Sequence, residues 1–145
     1  MIKCGTDLIR VQRIKKACSR LGEPFLRRIW TEKEIEDCMP DGVLSDRAAA
    51  SLAARFAAKE AIAKALGTGI GQSGIQWTHI WVEKIDSGAP VPRLTGAALT
   101  YFINLGGTDI ALSISHENEY AQAFCVICHT QADQRDALTH ITTKD

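Results

Sequence analysis

Apolar positions recur along this chain with two different periods, and the switches between them divide it into elements. Ile2 to Leu8 reads as a short strand that closes on Gly5-Thr6-Asp7, a place where a carboxylate is readily presented. From Ile9 to Leu21 the period lengthens. Val11, Ile14, Cys18 and Leu21 share one helical face, while Arg13, Lys16 and Arg20 cluster opposite with no acid among them. Gly22 and Pro24 are expected to end that helix, leaving Phe25 to Trp30 as an apolar segment with Arg27 and Arg28. Thr31 and Glu34 form a capping box that starts a short acidic helix through Cys38, and Pro40-Asp41-Gly42 breaks it.

The dominant pattern follows. Ser45 or Asp46 caps a long helix whose alanines, from Ala48 to Ala65, give it high intrinsic propensity. Ala49, Leu52, Ala53, Phe56 and Ala63 form an apolar stripe, and Glu60 falls inside it. A carboxylate there needs a cation. Lys64, one turn on, offers an intrahelical pair worth ~0.2–0.5 kcal/mol; the sharper alternative is a hard ion such as Mg²⁺, held by carboxylates and substrate phosphates. Arg55 and Lys59 are like charges four apart, a flank that suits an anion as well as solvent. Gly67 stops the helix, and Gly69 and Gly71 extend a loop whose backbone allows close approach of a ligand. The loop follows a helix rather than opening one, so phosphate nearby must be held by side chains and metal.

The second half alternates with the strand period. Ile75 to Lys84 and Val91 to Thr95 form a hairpin around Asp86 to Pro90; a helix spans about Gly96 to Leu105; Ile110 to Ser115 and Tyr120 to His129 form a second hairpin. Together these elements predict an α+β fold, with a small antiparallel sheet packed against the long helix. Residues 1–129 form one domain, and the polar tail 130–145 is expected to fray.

Composition changes this picture in two places. Lys and Arg (17) balance Asp and Glu (17), which removes a global argument for nucleic-acid binding, and no apolar run reaches membrane length. The N-terminus has no signal-peptide pattern, so the chain is expected in the cytoplasm. Five scattered cysteines do not make a secreted disulfide framework. Cys125-Val126-Ile127-Cys128-His129 matches a haem-attachment pattern, but strand geometry sends residues three apart to opposite faces; both cysteines are read as core. His116 ends a strand and is expected at the surface. The acid-free face of the first helix suits an acidic partner, so on residues alone a non-catalytic docking module competes with an enzyme.

Taken together, Gly5-Thr6-Asp7, Arg55-Phe56-Ala57-Ala58-Lys59-Glu60-Ala61 with Lys64, Gly67-Thr68-Gly69-Ile70-Gly71 and Ser113-Ile114-Ser115-His116 resemble the holo-[acyl-carrier-protein] synthases, the small 4′-phosphopantetheinyl transferases. Two departures are the tail and Ser87-Gly88-Ala89-Pro90, where the family often has a lysine before the proline. The resemblance implies transfer of 4′-phosphopantetheine from coenzyme A to a serine of apo acyl carrier protein, in support of fatty acid biosynthesis. It implies Mg²⁺ on Asp7 and Glu60, and Lys64 on the phosphate. Arg55, Lys59, Lys64, Gly67, Gly69, Pro90 and His116 fall in the coenzyme A region, and Arg13, Arg20 and Arg28 on the carrier-protein surface. A homotrimer with sites between protomers is implied too. The general base stays open between Glu60 and a water on the metal held by Asp7.

Overall fold

A computed structural model describes residues 1–130. Its centre is α4 (Asp46–Leu66), which starts at Ser45, whose hydroxyl accepts from the Ala48 amide at 3.1 Å, and stops at Gly67 in the left-handed conformation (φ 82°). Helix α4 is buried nearly all round, as suits a helix of small apolar residues at the middle of a fold. From Leu52 onward the residues not fully buried are Arg55 and a line down one side formed by Phe56, Glu60 and Lys64, spaced by four. Glu60 therefore does not interrupt the buried stripe expected for it. The charge that does is Lys59, in line with the core residues Leu52 and Leu66 at a spacing of seven.

A three-stranded antiparallel sheet lies against α4 in the order β1-β5-β4, built from β1 (Ile2–Arg10), β4 (Gly107–His116) and β5 (Tyr120–His129). The inner face carries Gly5, Ile9, Ala121, Ala123, Cys125 and Ile127, mostly small, so the helix approaches closely. A Cβ on Gly5 would collide with the carbonyl of Ala61 and lie 2.7 Å from the Ala65 nitrogen. Register runs from Ile2 opposite Cys128 to Arg10 opposite Tyr120, which fixes Asp7 opposite Ala123.

Helix α1 (Val11–Leu21) leaves β1 without a break and packs Val11, Ile14 and Cys18 inward. Gly22 (φ 68°) ends it as expected, and the apolar segment that follows is helical. It belongs to α2 (Glu23–Ile29), because Pro24 sits in the first turn, where its missing N–H would have had no partner. Helix α3 (Glu32–Cys38) has the expected capping box. A short 3₁₀ turn (Trp77–His79) precedes a separate hairpin, β2 (Ile80–Lys84) with β3 (Pro90–Leu94), and α5 (Gly96–Asn104) follows. Among the described residues no helix is long and apolar enough to cross a membrane. Apart from Thr130, the predicted tail lies outside the described residues.

Candidate functional site

The alternation of β1 puts Asp7 on the sheet face toward α4, where the open line of that helix passes. Lys64 Nζ donates to Asp7 Oδ1 at 3.0 Å and to the Thr6 carbonyl at 2.9 Å. Of the two readings of Glu60, the intrahelical pair with Lys64 does not form: the ammonium crosses to the sheet instead. Glu60 is half-buried, and its carboxyl pKa is raised, first by burial and then by the Asp7 charge, with Lys64 and Arg13 opposing. Two carboxylates and two cations thus meet at one end of β1. Among the described residues no group of three or more His, Cys, Asp or Glu side chains is placed to hold a metal. The Asp7–Glu60 pair nonetheless has the hard oxygen donors that suit Mg²⁺, an ion that keeps waters and substrate phosphates for its other positions.

A second cluster lies on another side of the same helix. Arg55, Pro90 and His116, with Ser51, Lys84 and Gly88, line a cleft of about 240 Å³. Arg55 and Glu60 are five residues apart, about 140° around a helix, and the two groups do not meet within one chain. Arg55 Nε is buried with no hydrogen-bond partner. Gly67 and Gly69 follow α4 with positive φ of 82° and 65°, which keeps the backbone bare beyond Lys64.

Lys59 requires a correction. The flank expected to face an anion is interior: its ammonium is fully buried and donates to Glu34 Oε1 (2.7 Å), the Ile80 carbonyl (2.7 Å) and the Trp77 carbonyl (3.2 Å). No donor is left for a ligand. Glu34, which the sequence offers as a helix cap only, is the residue that reading missed. The seven-residue spacing of Leu52, Lys59 and Leu66 was the available signal.

The basic side chains do converge. Arg13, Arg20 and Arg28 rim a groove of about 610 Å³ between α1 and α2, together with Lys16. Its floor includes Ile14, Phe25 and the stacked pair Phe56–Trp77, whose ring centroids are 4.7 Å apart. Cys125 and Cys128 do point to opposite faces, but only Cys125 is core; Cys128 is exposed. Burial pushes the Cys125 thiol up to about 12, which leaves it unreactive.

An α+β chain with this carboxylate pair under a lysine, on a central alanine-rich helix, is a recognisable class. The chain belongs to the 4′-phosphopantetheinyl transferase superfamily, which matches residues 3–125. Within it, the chain is similar to the holo-[acyl-carrier-protein] synthases of Shewanella amazonensis (43% identical, covering 86% of this chain and 95% of that protein) and Rhodopseudomonas palustris (45%, 94% and 96%). Its fold is similar to that of the holo-[acyl-carrier-protein] synthase of Helicobacter pylori in complex with coenzyme A, with a TM-score of 0.73 at 32% identity, covering 88% of this chain and all of that one. The enzyme from Bacillus anthracis, in complex with coenzyme A (3′,5′-ADP), gives 0.70 at 34%, covering 88% and 96%.

Proposed function

We propose that this chain is a holo-[acyl-carrier-protein] synthase, transferring 4′-phosphopantetheine from coenzyme A to a serine of apo acyl carrier protein in support of fatty acid biosynthesis. The observation that carries this reading is the meeting of Asp7, Glu60 and Lys64 on the open line of α4, in a chain 43% identical to enzymes of that name.

The serine oxygen forms a bond to the β-phosphorus of coenzyme A while the pyrophosphate P–O bond breaks, and adenosine 3′,5′-bisphosphate leaves. Little covalent chemistry is asked of the protein; positioning and charge stabilisation carry the step. Lys64, a point charge, faces the oxygens on which negative charge develops. Glu60 takes the proton of the serine hydroxyl. Asp7 is held in place by Lys64. Asp7 and Glu60 would hold Mg²⁺, which supplies charge neutralisation on the pyrophosphate when bound. The cleft of Arg55, Pro90 and His116, with the Gly67–Gly69 backbone, receives coenzyme A. The groove of Arg13, Arg20 and Arg28 receives the acidic carrier protein, attraction at its rim and apolar contact at its floor.

Two features support a homotrimer with shared sites. The coenzyme cleft and the carboxylate pair lie on different sides of α4, so each can complete the other only across protomers. The outer sheet face also exposes Ile2 (71%), Leu8 (60%) and Phe124 (47%), a surface that asks for cover. The working unit is residues 1–129, and its compartment the cytoplasm. Incubation with coenzyme A, Mg²⁺ and apo acyl carrier protein, read by mass spectrometry, tests the proposal: the carrier gains one phosphopantetheine group. A carrier left unmodified at high enzyme concentration overturns it.

A further inference from the structure

The reaction outlined above makes no use of Lys59, yet among the described residues it is the one fully buried cation. Its carboxylate partner, Glu34, is also fully buried. Glu34 Oε1 accepts from Lys59 at 2.7 Å and from the Thr31 amide at 3.0 Å, while Oε2 accepts from the Val82 amide at 3.2 Å.

One turn back on α4, Arg55 faces the same carboxylate without bonding to it. Its Nε lies 4.0 Å from Glu34 Oε2, and another guanidinium nitrogen lies 3.9 Å from Asp37 Oδ2, both too long for a hydrogen bond. Among the described residues Arg55 Nε is the one buried side-chain nitrogen or oxygen with no partner. The same side chain lines the cleft with Ser51, Pro90 and His116. Two cations compete for one buried carboxylate, and Lys59 has it.

We propose that Lys59 is a positioning residue for coenzyme A binding: by neutralising Glu34 it keeps Arg55 off that carboxylate and available to the cleft. This rests on the reading of the cleft as the coenzyme A site. A buried carboxylate stripped of its ammonium draws the nearest remaining cation, and for Glu34 that cation is Arg55. Removing both charges releases Arg55 again. If Lys59 served the ligand directly, or only through the general integrity of the fold, removing Glu34 as well would rescue nothing.

The test is calorimetric titration of coenzyme A into the full chain as wild type, Lys59→Met and Glu34→Gln/Lys59→Met, with circular dichroism to confirm folding. Lys59→Met should bind at least about tenfold more weakly, and the double variant should return to within about threefold of wild type. Adding Arg55→Ala to the double variant should abolish that recovery. A folded double variant that stays about tenfold weak or worse overturns the proposal. Because it removes both members of the buried pair, the double variant decides the matter even where Lys59→Met fails to fold. A wild-type chain that does not bind coenzyme A overturns the parent reading of the cleft, and this proposal with it. With wild-type binding intact, failure of the double variant counts against Lys59 alone.

Discussion

Lys64 reaches across from α4 to the Asp7 carboxylate at 3.0 Å, tying the central helix to the strand that carries the other half of the proposed reaction centre. The lysine side chain is half exposed (51%), so the pair adds little to stability, at most about 1 kcal/mol. Under the proposed function its worth is in the reaction, where an ammonium beside the pyrophosphate stabilises developing charge. Lys64→Met should lower the transfer rate about 10²-fold while shifting the melting temperature by no more than a few degrees. A variant with near wild-type turnover would remove Lys64 from the centre.

Glu60 should show a trade between stability and activity. Burial and Asp7 raise its pKa above 4.5, so the folded chain holds that proton more tightly than the unfolded chain does. Between the ordinary value and the raised one, stability therefore falls as pH rises, and above it the cost stands in full. In Mg²⁺-free buffer at pH 7, Glu60→Gln should melt about 2–5 °C higher than wild type. The same variant should lose transfer with Mg²⁺ present, and wild-type transfer should decline as acid titrates Glu60. A calorimetric scan in which Glu60→Gln melts lower would contradict the electrostatic account.

If the groove receives the carrier protein as proposed, carrier recognition can be separated from coenzyme binding. Arg13 acts electrostatically on Glu60 as well as on the groove, so Arg20, farther along α1, is the cleaner probe. Arg20→Glu should raise KM for the carrier protein by about tenfold or more, most at low ionic strength. Coenzyme A affinity should change less than about twofold. Equal losses for both substrates would refute the division.

Much of this site was legible in the sequence because its residues obey local rules. Asp7 ends a glycine-containing strand segment, Glu60 and Lys64 share a helical line, and the three arginines fall one and two helices downstream of β1. What the sequence hid depended on which side of a helix is buried. Glu60 falls inside an apolar stripe on the helical wheel because alanine marks a helix's interior weakly, and from Leu52 onward α4 is buried everywhere except at Arg55 and along Phe56, Glu60 and Lys64. For the same reason Lys59 looked solvent-facing. Its partner is 25 residues away on α3, a distance that no helical period encodes. Helix α2 stayed unassigned for another reason: Pro24 reads as a helix terminator, though the first turn of the next helix tolerates it.

Gly5 is a structural counterpart to Asp7 on the same strand. A side chain there would strike backbone atoms of α4 at Ala61 and Ala65, and neither can move without lifting the helix off the sheet. Gly5→Ala should cost about 3 kcal/mol or more and lower the melting temperature by over about 10 °C. Because α4 also carries Glu60 and Lys64, transfer should fall at temperatures where the variant is still folded. A melting curve within a degree or two of wild type would show that β1 and α4 are not packed as closely as described.

The proposed division of the site between protomers makes a prediction that neither half-site makes alone. Arg55→Ala damages the coenzyme cleft and Glu60→Gln the carboxylate pair, so each homogeneous variant should be nearly inactive. Where both are co-expressed and assemble at random, a site drawing its cleft from one protomer and its carboxylates from the next is intact in about a quarter of cases. The mixture should therefore recover about a quarter of wild-type transfer. Phe124→Asp, which places a charge on the exposed sheet face, should abolish that recovery and reduce the assembly to monomers in sedimentation velocity. A mixture as inactive as its components, from an assembly shown to contain both chains, would mean that each protomer completes its own site.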